Sequence, residues 1–370
     1  MTVDVMKNNT YVKDTRYIDG LKGLACFMIM VSHYLDVYHA AESFNTSYRI
    51  VDFLYASPIR FLLGGSFWIY LFFTISGYLL SKENLKTFVD TVFKCIHRFV
   101  RLALPILFSY LFIYTILFAL GSHNKETIVV FENSWYQKYY SQKYSLTDVL
   151  CGPIDVLLLG KATLNAPYWV LRDMFFSSLI IYSYSYFKNR LHISDEMFFL
   201  IGILTMVIAS FKKPIITACM AGALLGFCQK RQESFFHSGK FGLGMILTVL
   251  FFYRTSKEIL STTVFISVIL FLPQIKILND LFKSGIMKFL GRISWGVYSF
   301  HWPLMCSVGG LMLLHINGIS QAYIVSFIVC MILTILVSFI YSLTLAKLEK
   351  SIALWFDQVL ISIKRQLIKN

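Results

Sequence analysis

The feature that most constrains this chain is a series of apolar segments that recurs along almost its whole length. Of its 370 residues, 57% are hydrophobic and only 15% are charged, whereas a soluble domain carries about 25% charged residues. Segments of about 20 apolar residues can cross a bilayer as helices. We predict an all-α integral membrane protein with about ten spans, at residues 20–39, 61–80, 102–120, 167–187, 197–211, 215–229, 241–253, 259–273, 293–314 and 319–345.

The distribution of lysine and arginine predicts how these helices are oriented. With the N-terminus in the cytoplasm, the internal segments hold most of the 34 Lys and Arg residues, as the positive-inside rule requires. Both termini are then internal, and the net charge of +14 is explained without a nucleic-acid partner. The predicted organisation is a cytoplasmic segment at 1–15, a transmembrane domain at 16–346 with a long outer connection at 121–166, and a cytoplasmic tail at 347–370.

The first predicted span carries two polar residues, Lys22 and His33, that do not suit a lipid environment. They are eleven residues apart, so on a helix they share one face and lie about 16 Å apart along the axis. Ionisable groups inside a membrane usually mark a functional site, and a neutral imidazole suits a general base. Asp36 lies three residues further on, where it could orient the imidazole ring. The alternative is a histidine that packs between helices and a lysine that reaches the membrane surface.

A cluster of cations follows the second span, which ends in the segment Phe72–Tyr78 with Ser76. Arg98 and Arg101 are three residues apart, on neighbouring faces of one helical turn at the inner surface. Together with Lys22 they could bind a polyphosphate, because phosphate is recognised by clustered cationic donors. The alternative is ordinary internal positive charge in contact with anionic lipid.

An adjacent Arg172–Asp173 pair and Trp169 lie at the start of the fourth span. Adjacent residues do not face each other on a helix, so each charge is expected to find its partner elsewhere in the bundle. The alternative is a pair at the outer interface, next to an interfacial tryptophan. The preceding connection at 121–166 is rich in Tyr and Trp, which predicts either a surface for stacking a sugar or an interfacial aromatic belt.

The ninth span contains a polar stripe. Ser294, Tyr298 and His301 recur at spacings of four and three residues, which places them on one face of a helix. Such a stripe is typical of a site inside the bundle, but a polar seam that joins two helices has the same pattern.

These stretches, in this order, resemble the membrane-bound acyltransferase-3 family, whose members O-acylate carbohydrates. Lys22 and His33 resemble its [Arg/Lys]-x10-His pattern, and residues 72–78 resemble its FFxxSG(F/Y) segment. Residues 98–105 resemble its Arg-xx-Arg-xxx-Pro segment, and residues 290–303 resemble its closing LGxxSYxxYLxHxP segment, with a Trp in place of the first Tyr. Together the matches run from the first span to the ninth.

One position departs from the family pattern. Many members have a glutamate five residues after Trp169, where this chain has Met174. The acid here is one residue earlier, at Asp173, so whether Asp173 takes the role of that glutamate is left open.

The resemblance implies a membrane O-acyltransferase that transfers an acyl group, acetyl in particular, from acetyl-CoA to a hydroxyl of a cell-surface polysaccharide or its lipid-linked precursor. It places the protein in the cell membrane. The residues implied for binding the donor phosphates are Lys22, Arg98 and Arg101. Those implied for catalysis are His33, as general base or transient acyl carrier, Asp36, Arg172 and Asp173. Those implied for binding substrate are Ser76, Trp169, Tyr298 and His301.

Other classes are less well supported by the sequence. It contains no phosphate-binding P-loop, no dinucleotide fingerprint and no zinc-protease motif, and its seven cysteines lack metal-ligand spacing. We therefore expect no metal. The main alternative is a transporter or flippase of a polar solute, but the pattern of the first helix does not recur in the second half, as paired transporter halves would predict. A homo-oligomer is compatible with the sequence.

Overall fold

The structure is a computed structural model that describes residues 16–40, 60–140, 143–229 and 257–369, and within these ranges all regular secondary structure is helical. The α-helices are α1 (Arg16–Ala40), α2 (Arg60–Leu63), α3 (Gly65–Leu80), α4 (Phe88–Leu120), α5 (Ser134–Lys138), α6 (Leu146–Ile154), α7 (Trp169–Arg190), α8 (Asp195–Lys212), α9 (Pro214–Gln229), α10 (Lys257–Phe271), α11 (Lys276–Phe282), α12 (Gly285–Leu304), α13 (Gly310–His315), α14 (Ile319–Leu343) and α15 (Leu345–Lys369). Short 3₁₀ turns and two π-helical segments, Asp155–Leu159 and Met305–Gly309, lie between them.

Within the described ranges, four helical stretches are long and apolar enough to cross a membrane, namely Arg16–Val37, Phe88–Leu120, Gly285–His315 and Gln321–Gln366. Val264–Gln274 and Lys276–Phe282, which meet at a bend of 101°, make a fifth if the pair forms one span. The helices at Gly65–Leu80 and Pro214–Phe227 are apolar but shorter. The all-helical membrane class is thus supported, whereas the count of about ten and the internal termini stay predictions. The predicted span at 241–253 lies outside the described residues.

Close contact between α1 and α12 sets the geometry of the site. A Cβ at Gly23 would collide with the backbone of Leu290 and Gly291, and one at Gly291 would collide with the Asp19 carbonyl oxygen. Glycines at both positions therefore let the two backbones approach, as small residues do between membrane helices. This contact fixes which turns of α1 and α12 face each other along the bundle.

The connection at 121–166 folds over the end of the bundle that holds His33. Its core is the fully buried Tyr136, whose hydroxyl donates to the Met305 carbonyl oxygen at 2.8 Å. The buried Asn124 holds the same segment, since its amide donates to the carbonyl oxygens of Tyr136 and Tyr139 at 2.7 and 2.9 Å. The connection is thus an ordered cap attached to the end of α12.

The residues predicted to form a C-terminal tail make the helix α15, which packs on the first half of α4. His97 contacts Asp357 at 2.9 Å, and Asp90 pairs with Lys364. The tail is therefore part of the packed helical structure.

Candidate active site

The centre of the site is a pair of histidines from α1 and α12. His33 Nδ1 lies 2.8 Å from His301 Nε2, and His301 Nδ1 lies 2.7 Å from the Val297 carbonyl oxygen. A carbonyl oxygen only accepts hydrogen bonds, so His301 Nδ1 carries a hydrogen. With both rings neutral, His301 Nε2 must accept and His33 Nδ1 must donate. The lone pair of the dyad then resides on His33 Nε2.

Asp36 has a different described hydrogen bond from the one that the sequence suggested. Its carboxylate accepts from Ser32 Oγ at 3.4 Å, and Ser32 Oγ accepts from the Gly65 backbone N–H at 2.7 Å. The described hydrogen bond of the His33 ring goes to His301, on another helix. Helical spacing could identify only neighbours on α1, which is why it pointed to Asp36.

Two tryptophans border the His33 ring. Trp135, from α5 in the connection, meets it edge to face at 5.3 Å between ring centroids, and Trp302 does so at 5.7 Å. The two indoles lie 4.3 Å apart. The sequence predicts an aromatic surface for the connection as a whole, but no spacing pattern distinguishes Trp135 from its other aromatic residues.

A cavity of about 290 Å³ lies at the Lys22 end of the same helices. Its polar lining comes from Lys22, Ser76, Arg98 and Ser294, and the remaining walls are apolar side chains of α1, α3, α4, α7 and α12. Residues from all four sequence stretches therefore border one space. The cavity is thus largely apolar, with two cations in its lining.

Arg98 is the strongest electrostatic feature of this cavity. Its Nε donates to Ser178 Oγ at 3.0 Å and its Nη2 donates to Ser76 Oγ at 3.2 Å. No carboxylate among the described residues forms an ion pair with it. Lys22, by contrast, pairs with the exposed Asp19 at 3.3 Å. A guanidinium in an apolar cavity without a counter-charge favours an anionic ligand.

Arg101 does not line this cavity. It is exposed and borders a separate cavity between α4 and α15, together with Glu349 and Asp357. Arg101 is therefore separated from Lys22 and Arg98. Residues three positions apart on a helix point in directions that differ by about 60°, and Arg101 consequently faces α15. Lys22 and Arg98 remain together.

The charged pair of α7 also points away from the cavity. Arg172 is exposed and lies over the Phe176 ring at 5.7 Å, and Asp173 pairs with Lys213 at 3.4 Å. Leu171 and Met174, three residues apart on one face, line the cavity instead. Met174, not Asp173, thus occupies the cavity position at which the family pattern has glutamate.

Trp169, at the start of α7, is 50% exposed. It is absent from the cavity lining, and no described ring contact joins it to the His33 ring. Its predicted role in substrate binding therefore gains no support from its position.

The cavity and the histidine pair are separated by one helical turn. The cavity lining reaches Ile29 on α1 and Tyr298 on α12, four and three residues before the two histidines. At 1.5 Å per residue this is about 5–6 Å along the axes. The Tyr298 hydroxyl donates to the Pro167 carbonyl oxygen, and its ring stacks on Tyr168.

These features define a helical membrane protein in which a cavity lined by two cations ends one helical turn from a pair of histidines. The family model described as an acyltransferase domain, acyltransferase-3, matches residues 15–343. The chain therefore belongs to the acyltransferase-3 family and is a membrane acyltransferase. The match ends before α15. No curated protein and no solved structure matches the chain.

Proposed function

We propose that the protein transfers an acyl group, acetyl in particular, from acyl-CoA to a hydroxyl of a cell-surface polysaccharide or its lipid-linked precursor. The observation that carries this proposal is the position of Arg98, a cation without an acidic partner among the described residues, in a cavity that ends one turn from the His33–His301 pair. The carbohydrate acceptor and the cell-membrane location rest on the family resemblance.

The cavity suits the donor chemically. Arg98 and Lys22 would hold phosphate groups of CoA, and the apolar walls suit the pantetheine arm and the acyl group. With the N-terminus inside, this end of the bundle opens to the cytoplasm, where acyl-CoA is found. CoA acts here as a co-substrate, and its phosphates supply the negative charge that Arg98 lacks among its described partners.

The histidine pair supplies the base. His33 Nε2 removes the proton of the acceptor hydroxyl while that oxygen attacks the thioester carbonyl carbon. The carbon–sulfur bond then breaks, and the leaving thiolate takes up the proton. His301 Nε2 accepts a hydrogen bond from the Nδ1–H of His33. It thereby stabilises the positive charge that develops on the His33 ring, as the second residue of a catalytic dyad does. In a two-step variant the same Nε2 attacks the thioester carbon and the CoA thiolate leaves; the acceptor hydroxyl then attacks the acyl carbon, the bond to Nε2 breaks, and the hydroxyl proton passes to the thiolate.

His33→Gln tests the assignment, because it keeps a polar side chain of similar size. Purified protein in nanodiscs is given acetyl-CoA labelled in the acetyl group, and thioester cleavage and acetyl transfer to a carbohydrate acceptor are measured. We expect both to fall by at least about 100-fold, the typical contribution of a general base. His315→Gln, on α13, is the matched control. A His33→Gln variant that inserts normally and transfers at the wild-type rate would refute the assignment, and binding of solute without cleavage would favour a transporter.

A further inference from the structure

Trp135 forms part of the wall around His33, yet more than a third of its surface is accessible. It is 37% exposed, while its ring makes a T-shaped contact with the His33 ring and packs against the fully buried Trp302. An indole in this position presents a flat apolar surface beside the base. Among the described ring contacts, Trp135 is the aromatic residue of the 121–166 connection that contacts the His33 ring.

The segment that carries Trp135 is hydrogen-bonded to the residue that follows α12. Asn133 caps α5 by accepting from the Tyr136 N–H at 3.0 Å, and the Tyr136 hydroxyl is bound to the Met305 carbonyl oxygen. Met305 follows α12, the helix of His301. The indole and the histidine pair are thus held by one framework, and a preorganised surface loses little entropy when it binds a ligand.

Polar groups surround the same place. The Trp302 indole N–H is buried and has no hydrogen-bond partner among the described residues, although buried donors usually have one. On the other side, a Cβ at Gly65 would lie 2.9 Å from Ser32 Oγ and 4.0 Å from His33 Nε2. A side chain at Gly65 would therefore crowd Ser32 and extend towards the basic nitrogen, and glycine avoids this.

We propose that Trp135 is the stacking platform for a pyranose ring of the acceptor, and that the reacting hydroxyl reaches His33 Nε2 beside Gly65. A pyranose ring combines an apolar C–H face with a rim of hydroxyl groups. The first matches the indole surface of Trp135, and the second supplies the hydroxyl that reaches the base. An acyclic alcohol offers the hydroxyl but no ring face. The proposal rests on the proposed function and specifies its acceptor site.

The test compares two kinds of acceptor in one assay, with acetyl-CoA as donor. The first is a panel of methyl pyranosides, and the second is glycerol. Trp135→Ala should lower kcat/KM for the accepted pyranosides at least tenfold, through a higher acceptor KM. It should change kcat/KM for glycerol, and the KM for acetyl-CoA, less than twofold. Trp135→Phe keeps a stacking ring and should stay within threefold of the wild type. Trp355→Ala, an exposed tryptophan of α15, is the matched control.

Other results would overturn the proposal. If Trp135 only orients the His33 ring, Trp135→Ala lowers the rates with pyranosides and glycerol equally. If the wild type acetylates glycerol as efficiently as every pyranoside in the panel, the site does not recognise a sugar ring. Failure of the proposed function has a different signature, since acetyl-CoA cleavage would then be independent of His33 whatever the effect of Trp135.

Discussion

Replacing Arg98 with glutamine should weaken donor binding without unfolding the protein. Arg98 borders the cavity and is held by Ser76 and Ser178, which an amide side chain can also contact. The described residues include no carboxylate paired with it, so the substitution leaves no unpaired acid behind. Removing an uncompensated cation from such a place is not expected to lower the thermal stability.

The size of the effect follows from the contact that is lost. A hydrogen bond to a charged group contributes about 1.5–3 kcal/mol, and each 1.4 kcal/mol is about tenfold in affinity. We therefore expect Arg98→Gln to raise the KM for acetyl-CoA by about 10- to 150-fold. If the phosphate contact is the same in the ground and transition states, kcat stays unchanged.

The assay is initial-rate kinetics in nanodiscs over a range of acetyl-CoA concentrations, with thermal stability measured in parallel. Lys94→Gln is the control, because Lys94 lies on the same helix but pairs with Glu83 at 2.8 Å. Arg101→Gln distinguishes two expectations. The sequence groups Arg101 with the donor site and predicts a higher KM for acetyl-CoA, whereas the structure places Arg101 outside the cavity and predicts an unchanged KM. A KM for Arg98→Gln within twofold of the wild type, or an equal increase in Lys94→Gln, would refute the reasoning.

Three further predictions concern the rest of the fold and site. His301→Phe removes the acceptor of the histidine pair and should lower kcat at least about 100-fold with an unchanged KM for acetyl-CoA, measured in the same assay. Asp173→Asn should change kcat/KM less than twofold and the free energy of unfolding by about 1 kcal/mol or less, because an amide of the same shape fills the buried Asp173 position and the lost partner, Lys213, is more than half exposed. Gly222→Ala should destabilise the protein by about 1–3 kcal/mol, since a Cβ there would collide with the α3 backbone, whereas Gly285→Ala meets nothing within 4 Å. Unfolding curves that do not distinguish the two glycine variants would contradict the last prediction.

The local geometry of the first helix could be predicted from the sequence, because it depends only on helical periodicity. Lys22 lies on the cavity and His33 lies further along the same helix, as the spacing indicated. The contact between His33 and His301 could not be predicted, since it joins residues 268 positions apart. Each histidine belongs to a separate sequence motif, and their register depends on the glycine contact between α1 and α12.

The charged pair of α7 shows a second limit of sequence reasoning. The sequence predicts a functional role for Arg172 and Asp173 because charged side chains inside a membrane are energetically costly. Which face of α7 borders the cavity depends on how the helix packs, and the structure turns Leu171 and Met174 inward. The count of about ten spans stays a prediction, because only some of the predicted segments are long, straight apolar helices among the described residues.

The turn between the cavity and the histidine pair bears on how the donor reaches the base. Acyl transfer needs the acceptor oxygen within about 3–3.5 Å of the thioester carbon, so a donor seated on Arg98 must bring its thioester past Ile29 and Tyr298. The Tyr298 hydroxyl is held by the Pro167 carbonyl oxygen, at the 3₁₀ turn that begins α7. The same helix supplies Met174 to the cavity wall. The first turns of α7 and the 3₁₀ turn before it therefore contribute both to the cavity wall and to holding Tyr298 between the cavity and the histidine pair.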